Sequence, residues 1–231
     1  MQTDEFIKFL KANKNPEKIE GMENYMRNQF KFLGLQATER RNLSKDYLKQ
    51  LVNETKSRYS EEHPYDSIID WETLFILWDL PEREFQLNGI DYLQRVESFL
   101  VLEDFEYLKQ LVVTKSWWDT VDFLSKNIGA IVVKEPELID IMKTWSLDQN
   151  IWLRRVSILH QLSLKDLRNT HVLEEVILNN IEDEEFFIQK AIGWALREYV
   201  KTNTDWVVHF VEGHKEKLRS LSYREAVKNI K

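Results

Sequence analysis

Apolar residues recur at spacings of three and four along most of the chain. The run Val121, Leu124, Ile128 and Ile131 is an example. This spacing gives a helix one apolar face. No segment has a pattern that favours a strand, and the polar stretch 53–66 is typical of a long loop. The pattern therefore predicts about a dozen helices joined mostly by short connections.

Local signals place several helix starts. Asn15 followed by Pro16 offers an N-cap and a proline at the first helical position. Two four-residue segments, 116–119 and 222–225, match the capping-box pattern of a serine followed three residues later by an acid. Further candidates for helix starts or caps are Thr38, Pro81, Pro136, Asp148 and Thr204.

A weak repeat runs through the second half of the chain. Trp117, Trp152 and Phe187 are spaced 35 residues apart, and each is predicted to open a helix. Residues 84–87 resemble an earlier, shifted copy. The positions that match further along the three helices are Val121, Val156 and Ala191, then Leu124, Leu159 and Trp194. A helical repeat of this length predicts an all-α solenoid whose inner helices line one concave face. An irregular helical bundle is the alternative.

Composition agrees with long helices and narrows the function classes. The chain of 231 residues has only 6 Gly and 4 Pro, and 43% of its residues are hydrophobic. It contains no cysteine, which excludes disulfides, thiolate metal sites and a cysteine nucleophile. The longest apolar run, 128–133, is too short to span a bilayer, and the first residues do not resemble a signal peptide. We expect a cytoplasmic protein with no membrane contact.

Charge is unevenly distributed. The net charge of −7 argues against a nucleic-acid partner unless one face is basic. Residues 215–231 hold six basic and two acidic residues. By contrast, segment 174–185 contains six acids and no Lys or Arg. The acids are Glu174, Glu175, Glu182, Asp183, Glu184 and Glu185. The acids could face outward while basic positions line the groove, although a charge run is more often a solvated face.

The familiar catalytic motifs are missing from the sequence. It contains no phosphate-binding glycine loop and no HExxH motif, and its five histidines are scattered. We therefore expect no metal and no cofactor. If the protein is an enzyme, carboxylates, arginines and aromatic residues must carry the chemistry.

The segment 115–122 is the richest in such residues. Asp119 fits the predicted capping box, whereas Asp122 has no such role and lies four residues after Trp118, on the same helix face. A carboxylate beside an aromatic wall suits a cationic group. The alternative is a core tryptophan next to a solvated acid.

The repeat adds residues at equivalent depths on successive inner helices. Arg155 and Lys190 occupy the position of Thr120 in the next two copies, and Trp194 and Arg197 lie three residues apart on the last of these helices. On a concave surface these side chains would converge. The alternative is a set of exposed basic residues and core tryptophans.

Several of these segments resemble the AlkD family of DNA alkylation-repair glycosylases, over nearly the whole chain. The specific ones are the tryptophan–aspartate segment 114–122 and the phenylalanine–glycine–tryptophan segment 186–194. The others are segments 23–28, 32–34, 78–84 and 150–155. The resemblance implies a single HEAT-like repeat domain over residues 1–231, which hydrolyses the N-glycosidic bond of purines alkylated at N3 or N7. The implied partner is duplex DNA, bound by a monomer in a bacterial cytoplasm at the nucleoid.

The resemblance also implies roles for individual residues. Asp122 is the catalytic carboxylate, Trp118 and Trp194 pack around the deoxyribose of the lesion, and Arg155 completes the catalytic site. Tyr25 and Arg197 are implied as contacts with the DNA backbone, and Lys190, which the repeat places at the depth of Arg155, is expected to bind DNA as well. An alkylated purine already carries a positive charge, so it leaves without a general acid. The carboxylate stabilises the cationic sugar and orients water, and Arg155 is expected to hold phosphate.

Two other functions fit part of the pattern. A HEAT-repeat protein that binds damaged or branched DNA without excising bases would keep the basic groove but need not keep Asp122, Trp118 and Trp194 together. A protein-binding scaffold would suit the net charge of −7.

Overall fold

A computed structural model describes residues 1–230. Within this range the chain forms thirteen α-helices and no β-strand, and 70% of it is helical. The predicted all-α class is confirmed. In chain order the helices are α1 (Thr3–Ala12), α2 (Pro16–Tyr25), α3 (Ala37–Ser57), α4 (Trp71–Asp79), α5 (Arg83–Val96), α6 (Phe105–Val113), α7 (Trp118–Lys134), α8 (Leu138–Trp145), α9 (Ile151–Leu159), α10 (Thr170–Leu178), α11 (Phe186–Val200), α12 (Thr204–Gly213) and α13 (Ser220–Ala226).

The chain divides into two compact units. The N-terminal unit is Met1–Tyr107 and the C-terminal unit is Leu108–Lys231. The single domain expected over residues 1–231 stays a prediction. Lys231, the last of the basic residues in 215–231, lies outside the described residues.

The 35-residue repeat corresponds to successive packed helices in the C-terminal unit. Trp117, Trp152 and Phe187 meet in one aromatic cluster, with ring centroids 5.7 Å apart for the two tryptophans and 5.0 Å from each tryptophan to the phenylalanine. Helix α7 packs on α9, α9 on α11, and α11 on α13. The next equivalent positions, Val121, Val156 and Ala191, are fully buried. The stacking of equivalent helices is that of an α-solenoid.

Two glycines allow close approach between these stacked helices. A methyl group on Gly129 of α7 would lie 1.9 Å from the carbonyl oxygen of His160, the residue that ends α9. A methyl group on Gly193 of α11 would lie 2.4 Å from the Cβ of Glu225 on α13. Neither position tolerates a side chain without displacement of the neighbouring helix.

Both predicted capping boxes are wrong. Helix α7 begins at Trp118, and the Ser116 hydroxyl donates instead to the carbonyl of Val112, at 2.6 Å. Helix α13 begins at Ser220, so Ser222 lies inside it and donates to the carbonyl of Gln189, at 3.1 Å. In both cases a carbonyl group on a neighbouring helix competes successfully for the hydroxyl.

Other local predictions hold only in part. The start of α2 after Asn15 is confirmed. Helix α3 continues to Ser57, so the predicted loop over residues 53–66 begins later than expected. The N-cap of α9 is Asn150, and Asp148 accepts the Asn150 N–H at 2.7 Å. The N-cap of α12 is Asn203, and Thr204 follows it as the first helical residue.

The N-terminal unit has its own core and a buried acid. Glu84 accepts the backbone N–H groups of Leu33, Gly34 and Leu35, each at 3.0 Å. Gly34 has a φ of +85°, a conformation that glycine adopts without strain. These hydrogen bonds join segment 32–34 to Glu84, the last residue of segment 78–84, and both segments contribute to the resemblance.

Candidate active site

A buried ion pair joins α7 to α9. The Arg155 guanidinium donates to both carboxylate oxygens of Asp122, from Nε to Oδ1 at 2.7 Å and from Nη2 to Oδ2 at 2.9 Å. Its third nitrogen, Nη1, donates to the carbonyl of Phe187 at the start of α11. The side chains of Arg155 and Asp122 are 5% and 16% exposed. The arginine therefore holds the carboxylate in one orientation and ties three helices together.

This geometry differs from the phosphate contact expected of Arg155. Its guanidinium is almost fully enclosed, and each of its three nitrogens donates to a partner within the protein. In this structure Arg155 orients Asp122 and is not presented to a phosphate.

The Asp122 carboxylate opens onto a cavity of about 360 Å³ in the C-terminal unit. Its walls are partly aromatic and partly charged, and they include all six of the expected site residues that belong to this unit. The lining residues are Trp118, Asp122, Arg155, Phe186, Phe187, Lys190, Trp194, Arg197 and Glu225. The structure thus brings these predicted residues together on one cavity.

A second cavity, of about 310 Å³, shares three of these residues. Trp118, Asp122 and Trp194 line both spaces. The further lining residues of the second cavity are Asp119, Phe123, Lys126, Leu159, Leu162 and Ser163. The aspartate and both tryptophans therefore separate or join two neighbouring cavities of this unit.

Tyr25 lies in the N-terminal unit. It ends α2, is 72% exposed, and lines a largely apolar cavity of about 550 Å³ in that unit. Its expected role as a DNA contact stays a prediction.

One charged residue of the cavity was missed in the sequence. Glu225 was interpreted only as part of a capping box, yet it accepts hydrogen bonds from Lys190, Arg197 and Lys228. It follows Lys190 by 35 residues, so one more copy of the repeat would have placed it in line with Arg155 and Lys190.

The two acids of the cavity have opposite electrostatic environments. Burial raises the pKa of the Asp122 carboxyl above its ordinary value, and the hydrogen bonds from Arg155 oppose that rise. At Glu225 the hydrogen bond from Lys228, together with those from Lys190 and Arg197, lowers the pKa to about 2. Glu225 is therefore ionised at neutral pH, whereas burial disfavours the charge on Asp122 and Arg155 favours it.

Comparison with known proteins assigns the chain to a family. The profile of a family described as DNA alkylation repair enzyme matches residues 6–230. The chain belongs to this family of DNA alkylation repair enzymes. The family assignment confirms the resemblance found in the sequence and places the chain in the repair of alkylated DNA.

Solved structures give the same fold. A predicted DNA alkylation repair enzyme from Enterococcus faecalis is 34% identical, with a TM-score of 0.80 over 94% of this chain and 96% of that one. The smu.31 protein of Streptococcus mutans UA159 is 16% identical, with a TM-score of 0.57 over 84% of this chain and 97% of that one, and it supports the fold alone. No curated protein sequence matches the chain significantly.

Residues 1–230 contain neither a cluster of metal ligands nor a helix that could span a membrane. No group of three or more potential ligands among the His, Asp and Glu side chains of that range could hold a metal ion. None of the helices in the same range is long and apolar enough to cross a membrane.

Proposed function

We propose that the protein is a DNA glycosylase that hydrolyses the N-glycosidic bond of purines alkylated at N3 or N7 in duplex DNA. The observation that supports this best is the Asp122 carboxylate, fixed by Arg155 in a cavity whose walls include Trp118 and Trp194. The membership in an alkylation repair family supports the substrate class.

The reaction suits a site with a carboxylate and no general acid. An N3- or N7-alkylated purine is cationic, so it departs as a neutral base without protonation. The glycosidic bond breaks, its electron pair leaves with the base, and the sugar acquires oxocarbenium character. Ionised Asp122 stabilises that cation and accepts a proton from the water that attacks C1′.

The tryptophans and Arg155 support this carboxylate. Trp118 and Trp194 present aromatic surface to the same cavity, where their quadrupoles favour a cationic sugar. Arg155 acts as a positioning residue, because two parallel hydrogen bonds restrict both the distance and the plane of the carboxylate.

Cations that remain exposed to solvent are proposed to contact the DNA backbone. The side chains of Lys190 and Arg197 are 38% and 25% exposed and lie on the wall of the Asp122 cavity. Tyr25 is proposed as a further contact from the N-terminal unit on the strength of the resemblance alone. We propose that the chain is a single HEAT-like domain that binds duplex DNA as a monomer.

The direct test is base release from defined duplexes. The protein should liberate free 7-methylguanine from duplex DNA, and it should leave duplexes containing uracil or hypoxanthine intact, because those neutral bases are poor leaving groups without an acid. Chromatography of the released base measures both. Rapid uracil release, or intact 7-methylguanine after prolonged incubation, would disprove the proposal.

One observation favours a second function. The Asp122 carboxylate is paired at both oxygens, which is also the arrangement of a purely structural ion pair. A protein that binds damaged or branched DNA without excising bases would need this ion pair only to hold its helices together. It would show lesion-dependent binding in the absence of any base release, an outcome that the same duplexes detect.

A further inference from the structure

Glu225, which lies on the wall of the Asp122 cavity, is surrounded by three cations. Lys190 Nζ lies 3.0 Å and Lys228 Nζ 2.6 Å from Oε1 of this acid, and Arg197 Nη1 pairs with Oε2. One carboxylate faces three cations, so the cluster keeps an excess of positive charge in a protein whose net charge is −7.

The acid and the cations differ in exposure. The Glu225 side chain is 9% exposed, whereas those of Lys190, Arg197 and Lys228 are 38%, 25% and 55% exposed. A lysine ammonium carries three N–H donors and a guanidinium five. Each cation therefore has donors beyond those it directs at Glu225, and each reaches solvent while the carboxylate stays inside.

The position of Glu225 is set by the packing of α13 on α11. Gly193 leaves room for the Glu225 Cβ, and a methyl group there would come within 2.4 Å of it. Three hydrogen bonds keep the carboxylate ionised, with the pKa lowered to about 2. Helix packing thus fixes the position of the Glu225 carboxylate, and its three hydrogen bonds keep it ionised at neutral pH.

We propose that Lys190, Arg197 and Lys228 form a binding site for a backbone phosphodiester of duplex DNA, and that Glu225 is the positioning residue that holds these three cations. The proposal rests on the function proposed above and adds Glu225 and Lys228 to it. A phosphodiester is attracted by the excess of positive charge and hydrogen-bonds to the outward donors.

We expect Glu225 to fix the position of the bound DNA phosphate and to lower the affinity of the protein for DNA. Without it, three like charges would repel one another and spread into solvent, where they would bind phosphates in many registers. With it, the three cations keep one geometry, and two of them, Lys190 and Arg197, lie on the wall of the cavity that holds Asp122. The bound phosphate then fixes the neighbouring sugar relative to that carboxylate.

The test uses two variants and a control matched in charge. Glu225→Gln removes the charge and keeps the size, and Lys228→Ala removes an exposed cation. Glu212→Gln makes the same charge change at an exposed position on α12. Affinity for undamaged duplex is measured at several salt concentrations, and excision of 7-methylguanine is measured in single turnover at saturating protein.

Glu225→Gln should bind undamaged duplex at least as tightly as the unmodified protein and excise on the order of 10-fold more slowly. Lys228→Ala should weaken binding and reduce the salt slope by about one. Glu212→Gln should change neither measurement. If Glu225→Gln fails to fold, Glu225→Asp, which keeps the charge and shortens the reach, should show the same slow excision with retained binding.

A parallel loss of binding and excision in both Glu225 variants, with a lower melting temperature, would make Glu225 a structural residue and overturn the proposal. An unchanged salt slope in Lys228→Ala would remove the phosphate site. If the unmodified protein releases no base, the proposed function fails, while the salt slopes still decide whether this cluster binds phosphate.

Discussion

At the scale of single residues, the account depends on the charge state of Asp122. Its carboxylate must be ionised to stabilise a cationic sugar. Burial raises its pKa above the ordinary value of 3.8, and Arg155 limits that rise. Excision should therefore be fast above this raised pKa and fall as the pH drops through it.

The pH profile gives a prediction for Arg155. Arg155→Gln removes the cation that opposes the rise, so the acid limb of the single-turnover rate should move to higher pH than in the unmodified protein. Rates are corrected for spontaneous base loss from the same DNA. Arg155→Lys, which keeps the charge but not the two-point contact, should shift the limb less. An acid limb that does not move, or that lies at or below 3.8 in the unmodified protein, would contradict the assignment.

The two cavity tryptophans should matter for the reaction more than for binding. Trp118→Ala and Trp194→Ala should slow excision of 7-methylguanine by roughly 3- to 30-fold, the range of a cation–π contact, with a smaller effect on binding of undamaged duplex. Trp206→Ala is the control, because Trp206 lies outside both cavities and packs against the core on Tyr199 and Phe210. If all three variants lose stability and activity alike, the cavity tryptophans act only as packing.

The 35-residue repeat was enough to predict which residues occupy equivalent positions on successive helices. Spacing placed Arg155 and Lys190 on equivalent turns, and they line one cavity with Asp122. The pairing of Arg155 with Asp122 could not be predicted, because spacing within a helix does not specify a contact between α7 and α9. Glu225 was assigned to a cap because its local pattern matched one, although its partners lie on another helix or beyond α13.

At the scale of elements, close contact between α7 and α9 positions the ion pair. Gly129→Ala would force the new methyl group against the His160 carbonyl and separate these helices. We expect a loss of about 1–3 kcal/mol in the free energy of unfolding, as for other overpacked cores, together with slower excision. Denaturant titration and single-turnover rates measure the two effects.

Gly213→Ala is the matched control for that substitution. A methyl group at Gly213, the last residue of α12, meets no atom within 4 Å. The variant should be as stable as the unmodified protein or slightly more so, because alanine favours the helix. Equal stability of both glycine variants would mean that the approach of α7 to α9 does not require Gly129.

Helices were predictable from periodicity, and their ends were less so. The apolar spacing of α7 comes from residues that are fully buried in the structure, including Val121, Leu124 and Ile128. Cap assignments failed at Ser116 and Ser222 because each hydroxyl has a carbonyl partner on a neighbouring helix. The Ser222 partner is set by tertiary packing, whereas the Ser116 partner lies one turn earlier in the chain, and the four-residue capping pattern records neither.

At the scale of the whole molecule, a net charge of −7 must be reconciled with a DNA substrate. Several acids of segment 174–185 have structural roles. Asp183 pairs with Arg154 at 3.0 Å, Glu184 with Arg219 at 3.0 Å, and Glu185 caps α11. Three acids of the run therefore pair or cap within the protein, although Glu184 stays 85% exposed, and the sequence pattern did not predict these partners.

DNA binding should accordingly depend on local cations and on salt. The logarithm of the affinity for undamaged duplex should fall linearly with the logarithm of the salt concentration, by about 0.9 for each phosphate contact. The single phosphate bound by Lys190, Arg197 and Lys228 should contribute about −0.9 to this slope, and every further phosphate contact should steepen it by the same amount. Binding that is insensitive to salt, measured by fluorescence anisotropy, would refute the electrostatic assignment.

The central claim is that the charge of Asp122 accelerates breakage of the glycosidic bond. Asp122→Asn keeps the size and removes the charge, so duplex binding should persist while single-turnover release of 7-methylguanine falls on the order of 100- to 1000-fold. Asp140→Asn, the same change at an exposed position of α8, should excise normally. Near-normal release of 7-methylguanine by Asp122→Asn would contradict the mechanism even if the fold and the family are correct.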